Sequence, residues 1–111
     1  MKFTVTKEGK ATILTLDSKK LDATVTPELK AEFLVLCKPK VTQKLIVDMS
    51  KVDFCDSSGL SALLIADRAM REHGGNVHLV GVHKKILDLM KISHLDRVFT
   101  INAKMAEALS A

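Results

Sequence analysis

Residues 44–49, KLIVDM, form a short and almost wholly apolar run. A strand of that kind has no face to give to solvent and belongs inside a sheet that helices cover on both sides. It should therefore be central, and the remaining segments can be arranged around it. KFTVTKEGKATILTLD gives two β-rich runs on either side of Glu8-Gly9, the pattern of an antiparallel hairpin. After the polar SKK comes LDATVTPELKAEFLVLCK, an amphipathic helix in which Thr26 can cap, Pro27 suits the first position, and Leu29, Phe33, Leu34 and Cys37 share one face. Beyond the apolar strand, a helix beginning at Ser57 sets Leu60, Leu63, Leu64 and Met70 near one face and stops at HGG. NVHLVG reads as a strand, HKKILDLMKI as a helix carrying Ile86, Leu89 and Met90, RVFTIN as a last short strand and AKMAEALSA as a terminal helix. The order ββαβαβαβα predicts an α/β fold, a mixed and largely parallel β-sheet packed with helices through right-handed crossovers.

Nothing in the 111 residues suggests a second unit, so 1–111 is read as one domain with one core. With 47% apolar and 27% charged residues the chain is neither disordered nor fibrous. The wholly apolar stretch Ala62 to Ala66 falls far short of the ~20 residues that cross a bilayer. Lys7, Glu8 and Lys10 break the segment a secretory signal would need. No membrane insertion and a cytoplasmic location are expected. Cys37 and Cys55 are too few for a structural zinc site and are expected as small buried hydrophobes in a reducing compartment. The formal charge of +4 raises the question of nucleic acid. The basic residues, however, are dispersed as pairs such as Lys19-Lys20 and Lys84-Lys85, and with four Phe, no Trp and no Tyr there is no obvious stacking platform. No direct nucleic-acid binding is expected. His73, His78, His83 and His94 lack metal-site spacing and are expected at the surface or in turns; no metal and no cofactor is assigned.

The chemistry concentrates in DFCDSSGL, Asp53 to Leu60, at the junction between the central strand and the following helix. One reading is purely structural. Asp56 or Ser57 caps the helix, and Ser58 and Gly59 are small enough to let its first turn approach the sheet. The other starts from the place of the junction: the carboxyl end of a parallel strand delivers the next loop to the rim where ligands and partners bind. A hydroxyl at Ser57 would stand beside the helix-start amides and the positive end of the helix dipole, which together stabilise an added phosphate. A nucleophilic enzyme would need a base and an oxyanion donor set, and neither a G-x-S-x-G elbow nor a GxxxxGK[ST] loop is present. No catalytic residue is assigned.

LIVDMSKVDFCDSSGLSALL resembles the core motif of STAS domains, named for sulphate transporters and anti-sigma factor antagonists. LDATVTPELK is similar to that family's entry to the first helix, and ILDLMKISHLDRVFTI to its third helix and following strand. The resemblance implies a single-domain bacterial anti-sigma factor antagonist, a switch rather than an enzyme. Ser57 would be phosphorylated by an anti-sigma factor that is also a serine kinase, and a serine phosphatase would reverse it. Unphosphorylated protein would bind the anti-sigma factor and free a sigma factor. Asp22, Asp56, Ser57, Ser58 and Gly59 would form the partner-binding corner. The alternative role within the same fold is a non-phosphorylated interaction subunit of a lipid-transport complex or larger signalling assembly. His94 stands where the family often has glycine, at a cost of about 1 kcal/mol if the residue must be left-handed.

Overall fold

The structure, a computed structural model, describes residues 2–38 and 43–110. Its elements run β1 (Phe3–Glu8), β2 (Ala11–Leu16), β3 (Lys20–Leu21), α1 (Thr26–Leu36), β4 (Lys44–Asp48), β5 (Phe54–Cys55), α2 (Ser57–Arg71), β6 (Asn76–Val80), α3 (Lys84–Ile92), a 3-10 turn (Leu95–Arg97), β7 (Thr100–Asn102) and α4 (Met105–Ser110). Five strands form one sheet in the order β1-β2-β4-β6-β7, in which only β1 and β2 pair antiparallel. Gly9, at φ 61°, turns the hairpin. The expected mixed, mainly parallel sheet is present, with β4 at its centre. A second sheet of two strands pairs β3 with β5, and the sequence reading had placed neither.

The apolar run on β4 is buried for the reason anticipated. Leu45, Ile46 and Val47 are all fully enclosed. Leu45 and Val47 join Leu14, Leu79, Phe33, Leu63, Met70 and Met90 in the main core beneath α1, α2 and α3. Ile46 points the other way, into a smaller cluster with Ile13, Val80 and Ala108 under α4. Lys44 Nζ donates to the carbonyl of Ala108 at 2.8 Å, placing a cation at the C-terminal end of α4, where the helix dipole favours it.

Four expectations need correction. Thr26 does not cap α1: Val25 is the N-cap without a side-chain bond, and the carbonyl of Asp22 accepts from the amides of Val25 and Thr26, each at 3.0 Å. The buried stripe of α1 is Leu29, Phe33 and Leu36, continued by Cys37, whereas Leu34 is 60% exposed. Leu34 lies five positions after Leu29, roughly 140° round the helix, so it leaves the face that Leu29 defines. His78 is neither at the surface nor in a turn. It lies buried in β6, with Nδ1 2.8 Å from Oδ1 of Asn102 on the neighbouring β7. Leu89, expected on the apolar face of α3, sits at its margin, and Ile86 and Met90 form the buried pair.

His94 follows α3 at φ 62° and ψ 16°, a left-handed residue whose amide bonds back to the carbonyl of Lys91 at 3.2 Å. This is the C-terminal helix position that glycine occupies without steric cost. Part of the strain relieved by glycine is offset by its greater freedom in the unfolded chain. We expect His94→Gly to raise unfolding free energy by about 0.5–1 kcal/mol, read from the urea midpoint. A midpoint unchanged or lowered would contradict a strained His94.

Candidate functional site

The short β3–β5 pair assembles the site. Lys20 lies opposite Phe54 and Leu21 opposite Cys55 in parallel register, so the next residues of the two strands, Asp22 and Asp56, leave the pair side by side. The amides of Asp53 and Phe54 donate to the carbonyl of Lys19 at 2.8 and 3.2 Å, and the amide of Asp56 to that of Leu21 at 3.3 Å. Ser18 supports the approach of β3: its hydroxyl donates to the carbonyl of Lys20 at 3.0 Å and accepts from the Lys20 amide at 3.3 Å. The SKK segment thus builds the bend with a side chain.

Each aspartate holds its own turn. Asp22 Oδ1 accepts from the Thr24 hydroxyl at 2.6 Å and the Thr24 amide at 3.0 Å. Those bonds hold its carboxyl below the usual carboxylate range. Asp56 is the N-cap of α2, and its Oδ1 accepts from the Ser58 hydroxyl at 2.6 Å and the Gly59 amide at 3.1 Å. The same bonds, the Ser58 hydroxyl foremost, lower the Asp56 pKa against the opposing charge of Asp22. That opposition is the electrostatic signature of two neighbouring carboxylates.

Gly59 sets how near α2 can come. A Cβ built on it would lie 2.6 Å from the Leu21 carbonyl oxygen and 2.7 Å from Cys55 Sγ. Cys55 itself is buried, and burial pushes its thiol up to about 12. Both cysteines are free and buried, as expected of small hydrophobes. Ser57, by contrast, opens α2 with an exposed side chain. Its hydroxyl has no hydrogen-bond partner among the described residues, because Asp56 is engaged by Ser58 and Gly59.

All five residues singled out in the sequence therefore meet at one corner: Ser57 outward, Asp22 and Asp56 flanking it, Ser58 as a bonded neighbour and Gly59 beneath. Two further features were missed. Phe54, 48% exposed, stands three residues before Ser57 as a large apolar side chain open to solvent. The alternation of β5, with Cys55 facing in, was its only signal. Beyond it a cavity of about 530 Å³ is lined by Asp53, His83, Lys84 and Lys85 at the start of α3. His83 Nε2 lies 2.8 Å from the Ser50 carbonyl.

The family model for the STAS domain matches residues 2–108. The chain belongs to the STAS domain family. An anti-sigma-B factor antagonist of Staphylococcus epidermidis is 29% identical over 82 residues, which span 74% of this chain and 75% of that protein. Among solved structures, a STAS domain protein from Planctomyces limnophilus superposes with a TM-score of 0.88 at 22% identity, covering 97% of this chain and 94% of that one. The Bacillus cell fate determinant SpoIIAA in its phosphorylated form gives a TM-score of 0.78 at 18% identity, covering 97% and 96%. SpoIIAA in its unphosphorylated form gives the same TM-score at 16% identity, covering 97% and 94%. These neighbours share the fold of this chain over nearly its whole length.

Two outcomes follow from this geometry. In Gly59→Ala the contact with a backbone carbonyl outweighs the ~1 kcal/mol of helix propensity that alanine adds. The expected net loss is on the order of 1–2 kcal/mol in chemical denaturation; a stabilised variant would show that the close approach is absent. For Asp56, a folded pKa below the unfolded one means that its contribution is present above the ordinary carboxylate value of about 3.9 and lost as pH falls through the lowered value. Asparagine keeps the cap without the charge. The stability advantage of the natural chain over Asp56→Asn should therefore shrink between about pH 5 and pH 2, and a pH-independent difference would contradict the assignment.

Proposed function

We propose that this chain is an anti-sigma factor antagonist controlled by phosphorylation of Ser57. With Ser57 unmodified, the corner of Asp22, Asp56, Ser57, Ser58 and Gly59 binds an anti-sigma factor and so releases a sigma factor. An anti-sigma factor with serine-kinase activity phosphorylates Ser57 and ends the binding; a serine phosphatase restores it. The protein acts in the cytoplasm as a binding partner and a kinase substrate rather than as a catalyst. The observation that carries this reading is the exposed, unbonded Ser57 hydroxyl at the first position of α2, flanked by two fixed carboxylates. Among the described residues no side chain is hydrogen-bonded to it as a base, which supports an activating group supplied by another protein. The name borne by the Staphylococcus epidermidis relative and the phosphorylated form of SpoIIAA support the reading.

The helix start tolerates a phosphate because the α2 dipole and terminal amides offset repulsion from Asp22 and Asp56. An apposed protein surface offers no such compensation. Phe54 supplies the kind of large apolar side chain that anchors an interface beside such a polar centre.

The test is incubation with the cognate kinase followed by site mapping. Phosphate should appear on Ser57 and vanish in Ser57→Ala; modification chiefly of Ser58 would overturn the assignment. Asp22→Ala should slow phosphorylation and weaken binding with the melting transition unchanged, and Phe54→Ala should weaken binding at least tenfold. Unaltered binding in both would place the partner surface elsewhere. A pull-down recovering the kinase-type anti-sigma factor supports the switch, and one recovering a membrane-transport ATPase contradicts it.

A further inference from the structure

The chain has three arginines against fourteen lysines, and all three, Arg68, Arg71 and Arg97, line one groove. Arg68 and Arg71 come from the last turn of α2, Arg97 from the 3-10 turn before β7. The groove, about 680 Å³, is completed by Leu64, Asp67, Glu72 and Val98. It adjoins a cavity of about 310 Å³ that shares Asp67, Arg71, Arg97 and Val98 and reaches inward to Asn76, Phe99 and Thr100. This is the amino-terminal end of β6 and β7. Ser57 lies at the opposite end of α2, fourteen residues or about 20 Å from Arg71 along the helix.

Of the two acidic groups there, Asp67 pairs with Arg71 alone, and Glu72 pairs with no arginine among the described residues. Asp67 is almost fully enclosed and engaged by Arg71, whose Nε donates to its two oxygens at 3.0 and 2.8 Å. Arg71 Nη2 also donates to the Val98 carbonyl at 3.0 Å, which fixes the guanidinium as part of the wall. Arg68 and Arg97 make no side-chain hydrogen bond or ion pair among the described residues, and the same is true of the side chains of Asn76 and Thr100. A helix C-terminus favours cations, which accounts for Arg68 and Arg71 singly. It does not account for Arg97, delivered from another element, nor for guanidinium where the rest of the surface uses ammonium. Guanidinium is the group that meets a phosphate with paired, planar donors.

The geometry points to a second binding site, for a small organic phosphate: the phosphate group on Arg68, Arg71 and Arg97, and a hydroxyl-bearing body in the cavity beside Asn76 and Thr100. A phosphate offers three acceptor oxygens and close to two charges, which the guanidiniums of Arg68 and Arg97, with the Nη donors that Arg71 does not spend on Asp67 and Val98, use more fully than the two oxygens of a carboxylate. The cavity falls at the lower end of the size range of small-molecule sites. The site is independent of the role assigned to Ser57.

The test is a proton–nitrogen NMR titration of the full chain with inorganic phosphate and with ribose 5-phosphate, against ribose and succinate at matched ionic strength. Saturable shifts should appear at the Asn76 and Thr100 amides and the Arg71 and Arg97 Nε–H groups, with the Ser57 amide unmoved. Ribose 5-phosphate should bind more tightly than phosphate, and Arg97→Gln and Arg68→Gln should each weaken it at least tenfold while melting as the natural chain does. Linear drift with both phosphates up to ~10 mM, where a 1 mM site would be roughly nine-tenths filled, would overturn the proposal. So would equal affinity in the variants, or succinate binding as well as ribose 5-phosphate.

Discussion

The first turn of α2 touches the carbonyl of Leu21, and no side chain fits between them. With a Cβ position 2.6 Å from that oxygen, Gly59 is the condition for α2 to start where it does. Once that approach is made, β3 and β5 lie in register, Asp22 and Asp56 emerge together, and Ser57 is left facing out. The contact also joins the loop after β2 to the loop after β4. The corner is therefore held by backbone bonds and one steric contact, with the side chains of Ser18, Asp22 and Asp56 fixing its turns.

Charge at this corner is arranged with equal economy. Both carboxylates are held ionised by hydrogen bonds to their own turns, Asp22 through Thr24 and Asp56 through Ser58 and Gly59. Lys20 and Lys2 add a smaller favourable charge at Asp22, and Asp56 directly precedes Ser57 in the chain. Adding about 1.5–2 negative charges there raises the local negative potential sharply while leaving the core, on the far side of Gly59, unaltered.

Much of this was readable in the sequence, for reasons that differ by element. KLIVDM declared itself as a doubly buried strand because no residue from Leu45 to Val47 can face water, and its central place in the sheet followed from that. The capping role of Asp56 and the small-residue role of Gly59 follow from local grammar, an acceptor followed three residues later by an amide that needs one. The neighbourhood of Asp22 and Asp56 was implied only by family resemblance, because the β3–β5 pairing is two residues long and leaves no periodicity to read. Leu34 misled because a run of apolar residues, Phe33 to Cys37, cannot all share one helical face. His78 misled because its buried environment is set by a partner, Asn102, that β7 brings across from twenty-four residues away. The convergence of the three arginines is likewise a product of topology, with Arg97 far from Arg68 and Arg71 in sequence.

The central claim is that the charge state of Ser57 governs association without disturbing the fold. Calorimetric titration of the cognate anti-sigma factor with unmodified and Ser57-phosphorylated protein, each paired with a thermal melt, tests it most directly. At least tenfold weaker binding of the phosphorylated form, a difference of ~1.4 kcal/mol or more, with a cooperative melting transition retained, is the result the account predicts. Equal affinities, or lost binding together with a collapsed transition, would contradict it.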